Sequence, residues 1–310
     1  MKRILITIAC LCSCIFCKAQ TCDVPISVAF NEEAENMPQA AMNIMANKFR
    51  QILSVNGITG DLDFDQIALV PRYDVIDKHI IAGPPAQIVY NLAVNVIIKD
   101  IQENRIFSSC SIDIDAVGQN ETKALIDGVK QIPLHSDKIQ SCIDEARRKI
   151  IAYYDKNYTI IAQKANTLSK LKKYDEALYH IMSIPECCKS YSEAMDCAIS
   201  IYKDLTDRNG KILLMKAQAI WAAGNNDEAA RQAAEILVKI DPDASCYGKA
   251  SELLNEIKSK SSKNAPWNFE MKKFDVKVDL RKREIEAARA VGVEYGKGQQ
   301  RTTTNLMFVR

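Results

Sequence analysis

Apolar positions along this chain change their spacing several times, and each change marks an element. Residues 24–33, VPISVAFNEE, hold a short apolar run of strand type. The following MPQAAMNIMANKFRQILSVNG places Ala41, Ile44, Met45, Phe49, Ile52 and Leu53 at helical spacing. Pro38 suits the first turn of that helix and Gly57 falls just past its end. QIALVPRYDVID (66–77) and QIVYNLAVNVIIKDI (87–101) are rich in Val, Ile and Tyr and alternate in part, which predicts strands. QENR predicts a turn, and IFSSCSIDIDAVG (106–118) alternates again. NETKALIDGVKQI (120–132) returns to helical spacing, and a longer helix is predicted from Ser136 to Tyr154. The order strand, helix, three strands, helix specifies an α/β sandwich with one sheet face buried.

From Tyr158 the period is helical and stays so. YTIIAQKANTLSKLKKYDEALYHIMSIPE holds a helix with small Ala165, a turn at Lys172-Lys173, and a second helix with Tyr174 and Ala177. LLMKAQAIWAAGNNDEAARQAAEILVKIDPDA repeats the plan with Ala217, a turn at Gly224-Asn225, Ala229 and Pro242. In both, the two alanines are 12 residues apart and Asp-Glu-Ala opens the second helix. Asp175 and Asp227 sit where an acidic residue favours capping and the helix dipole. Pro185 ends the first pair early, Pro242 helps to end the second, and SYSEAMDCAISIYKDLTDRNG (190–210) reads as a separate helix between them. CYGKASELLNEIKSK (246–260) reads as a capping helix.

These helix pairs resemble tetratricopeptide repeats, whose small residues let antiparallel helices approach closely. A plain helical bundle is the alternative, and under either reading Ile220 and Trp221 belong to a core. The segment 24–135 resembles the small α/β domain shared by the curli secretion subunit, the flagellar assembly protein T amino-terminal domain and the TolB amino-terminal domain. In that group a strand ending in Asp and a turn lead into a strand with Ser-x-Ser, as in IIKDIQENRIFSSCS here. The resemblance implies a docking and assembly role and brings no catalytic residues. It does not imply pore formation, because no linker to a pore-forming hairpin is recognisable.

The amino terminus changes the picture of length. MKRILITIACLCSCIFCKAQ has Lys2 and Arg3, an apolar run from Ile4 to Cys17, and a small-x-small end before Gln20. This reads as a secretory signal over 1–19. The run is shorter than the roughly 20 residues a membrane span needs, so an uncleaved anchor is the weaker alternative. LCSC at 11–14 offers a third reading, a lipoprotein modified at Cys14, although Ile15 and Phe16 stay apolar where such chains turn polar. Domains are expected at 20–135 (α/β docking), 136–157 (connecting helix), 158–260 (tetratricopeptide-like) and 261–310 (basic segment). The fold class is thus α+β, a sandwich followed by a helical array.

Loss of Lys2, Arg3 and Lys18 from 41 basic residues leaves 38 against 39 acidic ones. No uniform field attracts nucleic acid. Residues 257–310 are locally basic, with 13 Lys and Arg against 6 Asp and Glu. Arg281, Lys282, Arg283 and Arg289 share a helix with Glu284 and Glu286, expected to pack back through Trp267 and Phe274. The sharper reading is contact with an anionic membrane surface through 272–289. Residues 297–310 end apolar after a polar run and are expected to add to a partner.

Candidate chemistry is thin. Asp61, Asp63 and Asp65 alternate as in a calcium loop, but Gln66 stands where Gly is needed and Arg72 where a bidentate Glu is needed. Asp113 and Asp115 share a strand face without an identifiable cleft. His79, His135 and His180 lie far apart, and His180 with Cys187, Cys188 and Cys197 lacks the Cys-x2-Cys spacing of a zinc site. Seven cysteines follow the signal, an odd number in a compartment that permits disulfides. No nucleophile elbow, phosphate loop or dinucleotide fingerprint occurs. No catalytic, metal or cofactor residue is therefore assigned. The expectation is a non-enzymatic exported scaffold, periplasmic or associated with the outer membrane, that binds protein partners in the envelope. The rival is a periplasmic hydrolase or ligand-binding protein with a pocket between two domains.

Overall fold

The computed structural model describes residues 24–31, 37–58, 66–224, 226–261, 268–272, 280–299 and 306–308. The chain divides into two compact units, one of residues 1–152, 185–187 and 304–310, the other of 153–184 and 188–303. The division falls inside the long helix that connects sheet and helical regions. The class is α+β, with an amino-terminal sheet followed by helices.

In the first unit β1 (Ser27–Asn31), α1 (Gln39–Val55), β2 (Ile67–Ile81), β3 (Gln87–Asp100), β4 (Arg105–Gly118) and α2 (Glu121–Gln131) follow in the predicted order. β5 (Leu306–Phe308) joins them from the far end of the chain. The sheet order is β4-β3-β2-β1-β5. β1 and β2 run parallel, which requires the crossover that α1 supplies. The remaining pairs are antiparallel. β3 shows the alternation that its sequence predicts, with Tyr90, Leu92, Val94, Val96 and Ile98 buried on one face. α1 buries the stripe Ala41, Met45, Phe49 and Ile52, and α2 buries Ala124, Leu125 and Val129. Asn120 caps α2, its side-chain oxygen accepting from the Lys123 N–H at 2.8 Å.

Two expectations change here. β2 reaches Ile81, four residues beyond the predicted end, although Asp77, Lys78 and His79 are polar. Backbone pairing with β3, resumed after an irregularity between Val75 and Asp77 and running to Ile81↔Gln87, carries the extension where burial does not. The apolar end of the tail does not wait for another molecule. Leu306, Met307 and Phe308 lie antiparallel to Asn31, Phe30 and Ala29 of the same chain.

α3 (Asp137–Lys170) merges the predicted connecting helix with the helix that carries Ala165. The second unit continues with α4 (Tyr174–Met182), α5 (Tyr191–Gly224), α6 (Asp227–Leu237), α7 (Tyr247–Lys260) and α8 (Leu280–Gln299). α5 also merges two predicted helices, 190–210 and the one with Ala217. Asn209-Gly210 does not break it, and Gly210 is needed for space: a Cβ there would lie 2.8 Å from the Ala244 Cβ. The core of α5, α6 and α7 mixes alanines with large apolar residues: Ala217, Ala230, Ala233, Ala234 and Ala250 are fully buried beside Leu214, Trp221, Leu237, Ile240, Leu254 and Ile257. Ile220 packs against that cluster, so both residues expected in a core are there.

α8 packs on α4 and α5. Ala288 and Val293 are buried; a Cβ on Gly292 would sit tightly, at 3.1 Å, against the Leu178–Tyr179 backbone, and one on Gly296 would lie 2.6 Å from the Tyr179 ring. Trp267 and Phe274, expected to mediate this packing, lie outside the described residues; Phe269 and Met271 pack on the alanine core instead.

Candidate functional site

The clearest surface feature is the outer edge of β2. The strand starts buried from Ile67 to Pro71, where β1 pairs with it at Ser27↔Ala68 and Val28↔Leu69. Pro71 has no N–H to offer a further neighbour. Beyond it, among the described residues, no strand pairs with the outer side of β2, while β3 holds the inner side to Ile81. The register fixes the faces, since directly opposed residues share one. Tyr73, Val75, Lys78 and Ile80 oppose Val94, Leu92, Tyr90 and Ile88. Tyr90 and Leu92 pack with Ala116 of β4 and with Ala124 and Leu125 of α2. α2 covers β3 and β4, so the same face of β2 is left at the margin, with Val75 48% and Ile80 70% exposed. An irregularity between Val75 and Asp77 shifts the alternation. Ile76 is 60% exposed there, and Ile81 is exposed at the end of the strand.

Single exposed apolar residues are ordinary on a protein surface. Four within residues 75–81 on an open strand edge are a docking pattern, because such an edge offers unpaired backbone groups together with apolar side chains. The charged groups beside them are matched within the chain. Lys78 Nζ lies 2.5 Å from Glu121 Oε1 and 5.6 Å from the Tyr90 ring centroid. The hydrogen bond to Glu121 raises the Lys78 pKa, and the same bond lowers that of Glu121. His79 Nε2 is 2.7 Å from Asp77 Oδ2, and Asn95 donates to Asp74 at 2.7 Å. What the edge leaves unmatched is mostly apolar.

The residues singled out in the helical region are largely internal. Ala165, Ala177 and Ala217 are fully buried, Tyr174 and Ala229 nearly so. Gly224 closes α5, and a Cβ there would lie 2.5 Å from the Ala229 Cβ. The turn before α4 is made by Lys172, at φ 65°. Capping falls one residue earlier than Asp227: Asn226 accepts from the Ala229 N–H at 2.9 Å, and Asp227 and Glu228 occupy the first turn. α6 ends at Leu237, so Pro242 lies in the connection that follows and not at the helix end. Tyr174 alone reaches a groove, a cavity of about 590 Å³ lined also by Asp175, Arg208, Glu294 and Tyr295. Its walls carry both signs of charge without a converging set of one type.

Of the other candidates, Asp113 and Asp115 lie together on the exposed face of β4, along an open cavity of about 570 Å³ that Gln131 and Lys138 also line, and Asn91 donates to Asp115 at 3.1 Å. Asp61, Asp63, Asp65 and Cys14 lie outside the described residues. His180 packs edge-on to Tyr179. Cys187 is disulfide-bonded while Cys110, Cys142, Cys188, Cys197 and Cys246 are free, so its partner lies outside the described residues. Among the described residues no three His, Cys, Asp or Glu side chains gather as a metal site. In the basic segment, Arg281 pairs with Asp196 at 2.9 Å, Arg283 with Asp243, and Lys203 reaches buried Glu284 at 3.2 Å. Arg281, Lys282 and Arg283, three of the four cations placed on that helix, thus pair with acidic groups of their own unit, Lys282 with Glu286 at 3.9 Å. No described helix is long and apolar enough to cross a membrane.

The open edge of β2 was not visible as a site in the sequence. Its signal was QIALVPRYDVIDKHII itself, a strand pattern that runs on past a proline into polar residues while still carrying Ile76, Ile80 and Ile81. No protein-family model matches this chain, and no curated protein or solved structure matches it.

Proposed function

We propose that this chain is a non-enzymatic exported protein of the cell envelope, an assembly scaffold that takes an extended segment of a partner protein along the outer edge of β2. The observation that carries the reading is that edge, open from Arg72 to Ile81 among the described residues, with Val75, Ile76, Ile80 and Ile81 exposed. A partner strand there would gain main-chain hydrogen bonds for affinity and apolar contacts for selectivity. The helical unit then acts as a tetratricopeptide-like holder. Its two helix pairs, with buried alanines 12 residues apart, support that role. The disulfide at Cys187 supports an oxidising, extracytoplasmic location.

The test is affinity capture of the tagged protein from crosslinked envelopes. Wild type is compared with the double variant Ile76→Lys, Ile80→Lys and with Ile212→Lys, an exposed position on α5. Inward charges on an edge strand oppose added pairing. The reading predicts a reproducible partner that the double variant loses about tenfold or more and Ile212→Lys keeps, a change of roughly 1.4 kcal/mol or more. Repeated recovery of the bait alone would sink it. Palmitate labelling of wild type and Cys14→Ser separately decides between a released chain and a lipoprotein.

A further inference from the structure

A second feature lies at β4 and the start of α3. Ser108 and Cys110 are two residues apart on β4 and therefore point to one side of the strand. Cys142 of α3 meets them there. Its Sγ is 3.2 Å from the Ser108 Oγ, and the same hydroxyl donates to the Cys142 carbonyl at 2.8 Å. Both thiols are free, and both line a cavity of about 390 Å³ with Asp137, Lys138, Ser141 and Glu145 around them. Cys142 is almost fully buried and Cys110 is half-buried.

We infer that Cys110 and Cys142 are a redox pair that closes to a disulfide in the mature protein, tying β4 to α3. Both side chains face the same cavity, beside the Ser108 hydroxyl. The Cys142 side chain is the leading influence that raises the Cys110 pKa, and the Cys110 side chain leads in lowering that of Cys142. The Ser108 hydroxyl, its proton given to the Cys142 carbonyl, can accept from the Cys142 thiol. Lys138 lowers the Cys110 pKa and Lys149 that of Cys142, while Glu145 opposes the latter.

The oxidant is a disulfide donor of the thiol–disulfide class, such as oxidised glutathione or an exchange protein. Cys110, the more open thiol, gives its proton to solvent base and attacks one donor sulfur, and the first donor thiolate leaves. Cys142 then gives up its own proton and attacks the Cys110 sulfur of the mixed disulfide, and the second donor thiolate leaves. The pair loses two protons and two electrons, and the donor gains them as two thiols. The inference rests on the export reading only for the presence of that oxidant in the cell. The pair's own tendency to close is a property of the chain.

The test is a thiol map of the full-length protein, equilibrated with glutathione at an oxidising poise, alkylated, digested with trypsin without reduction, and read by mass spectrometry. The expected product joins residues 106–123 to residues 139–147, lighter by two hydrogens than the sum of the free peptides. It replaces both alkylated peptides. Cys110→Ser abolishes the linked product and leaves Cys142 alkylated. The wild type carries the answer even if that variant folds poorly. Recovery of both cysteines alkylated at a poise where Cys187 stays protected overturns the inference. Protein taken directly from cells adds a separate reading. If Cys187 is itself free there, the export reading fails, while the glutathione result for Cys110 and Cys142 still stands or falls alone.

Discussion

The two units differ in how alanines enter their cores. The sheet unit fills its interior with Ile26, Phe30, Phe49, Ile52, Leu69, Leu92 and Ile98, all almost fully buried. The helical unit's core at α5, α6 and α7 is lined by Ala217, Ala230, Ala233, Ala234 and Ala250. A sheet packs about 10 Å from its covering layer, a gap that large side chains must fill. Helices held together by alanines approach so closely that extra atoms have no room. The large side chains of the sheet unit are therefore the places to test loss of volume, and the alanine contacts of the helical unit the places to test gain.

The largest expected effect follows from that contrast. Phe49→Ala removes a fully buried ring from α1 and should cost about 3–5 kcal/mol in denaturant unfolding. Ala230→Leu, at a fully buried position of α6, should cost about 1–3 kcal/mol by overpacking. The same Leu at a half-exposed position such as Ile236 should cost less than half as much. If Ala230→Leu is silent, the close-packing account of the helical unit is wrong.

A smaller effect tests the local geometry that brings α5 and α6 together. Asn226→Ala removes the cap on the Ala229 N–H and should cost about 1 kcal/mol, whereas Asp227→Ala should cost less, although Asp-Glu-Ala drew attention in the sequence. Thermal unfolding of the pair ranks them.

The smallest effect has the opposite sign. Asp100, at the end of β3, is buried; its Oδ1 accepts from the Gln102 and Glu103 N–H groups, and its Oδ2 from Gln66 Nε2. Burial raises its pKa against those bonds, and Gln66 Oε1 is buried without a partner. A raised folded pKa means the native state holds the proton more tightly than the unfolded chain. That contribution is complete below the unfolded carboxylate value and is lost as pH rises through the folded one. Asp100→Asn keeps an acceptor for the two N–H groups and gains a donor for Gln66 Oε1 once the glutamine amide turns over. It should stabilise the protein at neutral pH by up to about 1 kcal/mol and flatten the stability profile above pH 4.

The same contrast explains what the sequence disclosed. Strands and helices of the sheet unit were legible because large apolar residues at period 2 or 3.6 mark their buried faces directly, as in β3 and α1. The small residues of the helical unit were legible too, at Ala165, Ala177, Ala217 and Ala229. Helix ends were not: polar Asn209-Gly210 looked like a break, yet Gly210 is there for close approach inside α5. The open edge of β2 depends on where β1 stops pairing, and the Cys110–Cys142 pair depends on which strand face meets which helix face. Both are long-range facts with no local pattern in the chain.

The scaffold reading is tested most directly by site-specific photocrosslinking in living cells. A photoreactive residue is placed at Ile80 on the β2 edge and, separately, at Met215 on α5, both exposed. The account predicts a discrete partner adduct from position 80 that is absent, or much weaker, from position 215. Adducts of equal yield from both positions, or none from position 80 while the protein is present and folded, would contradict it.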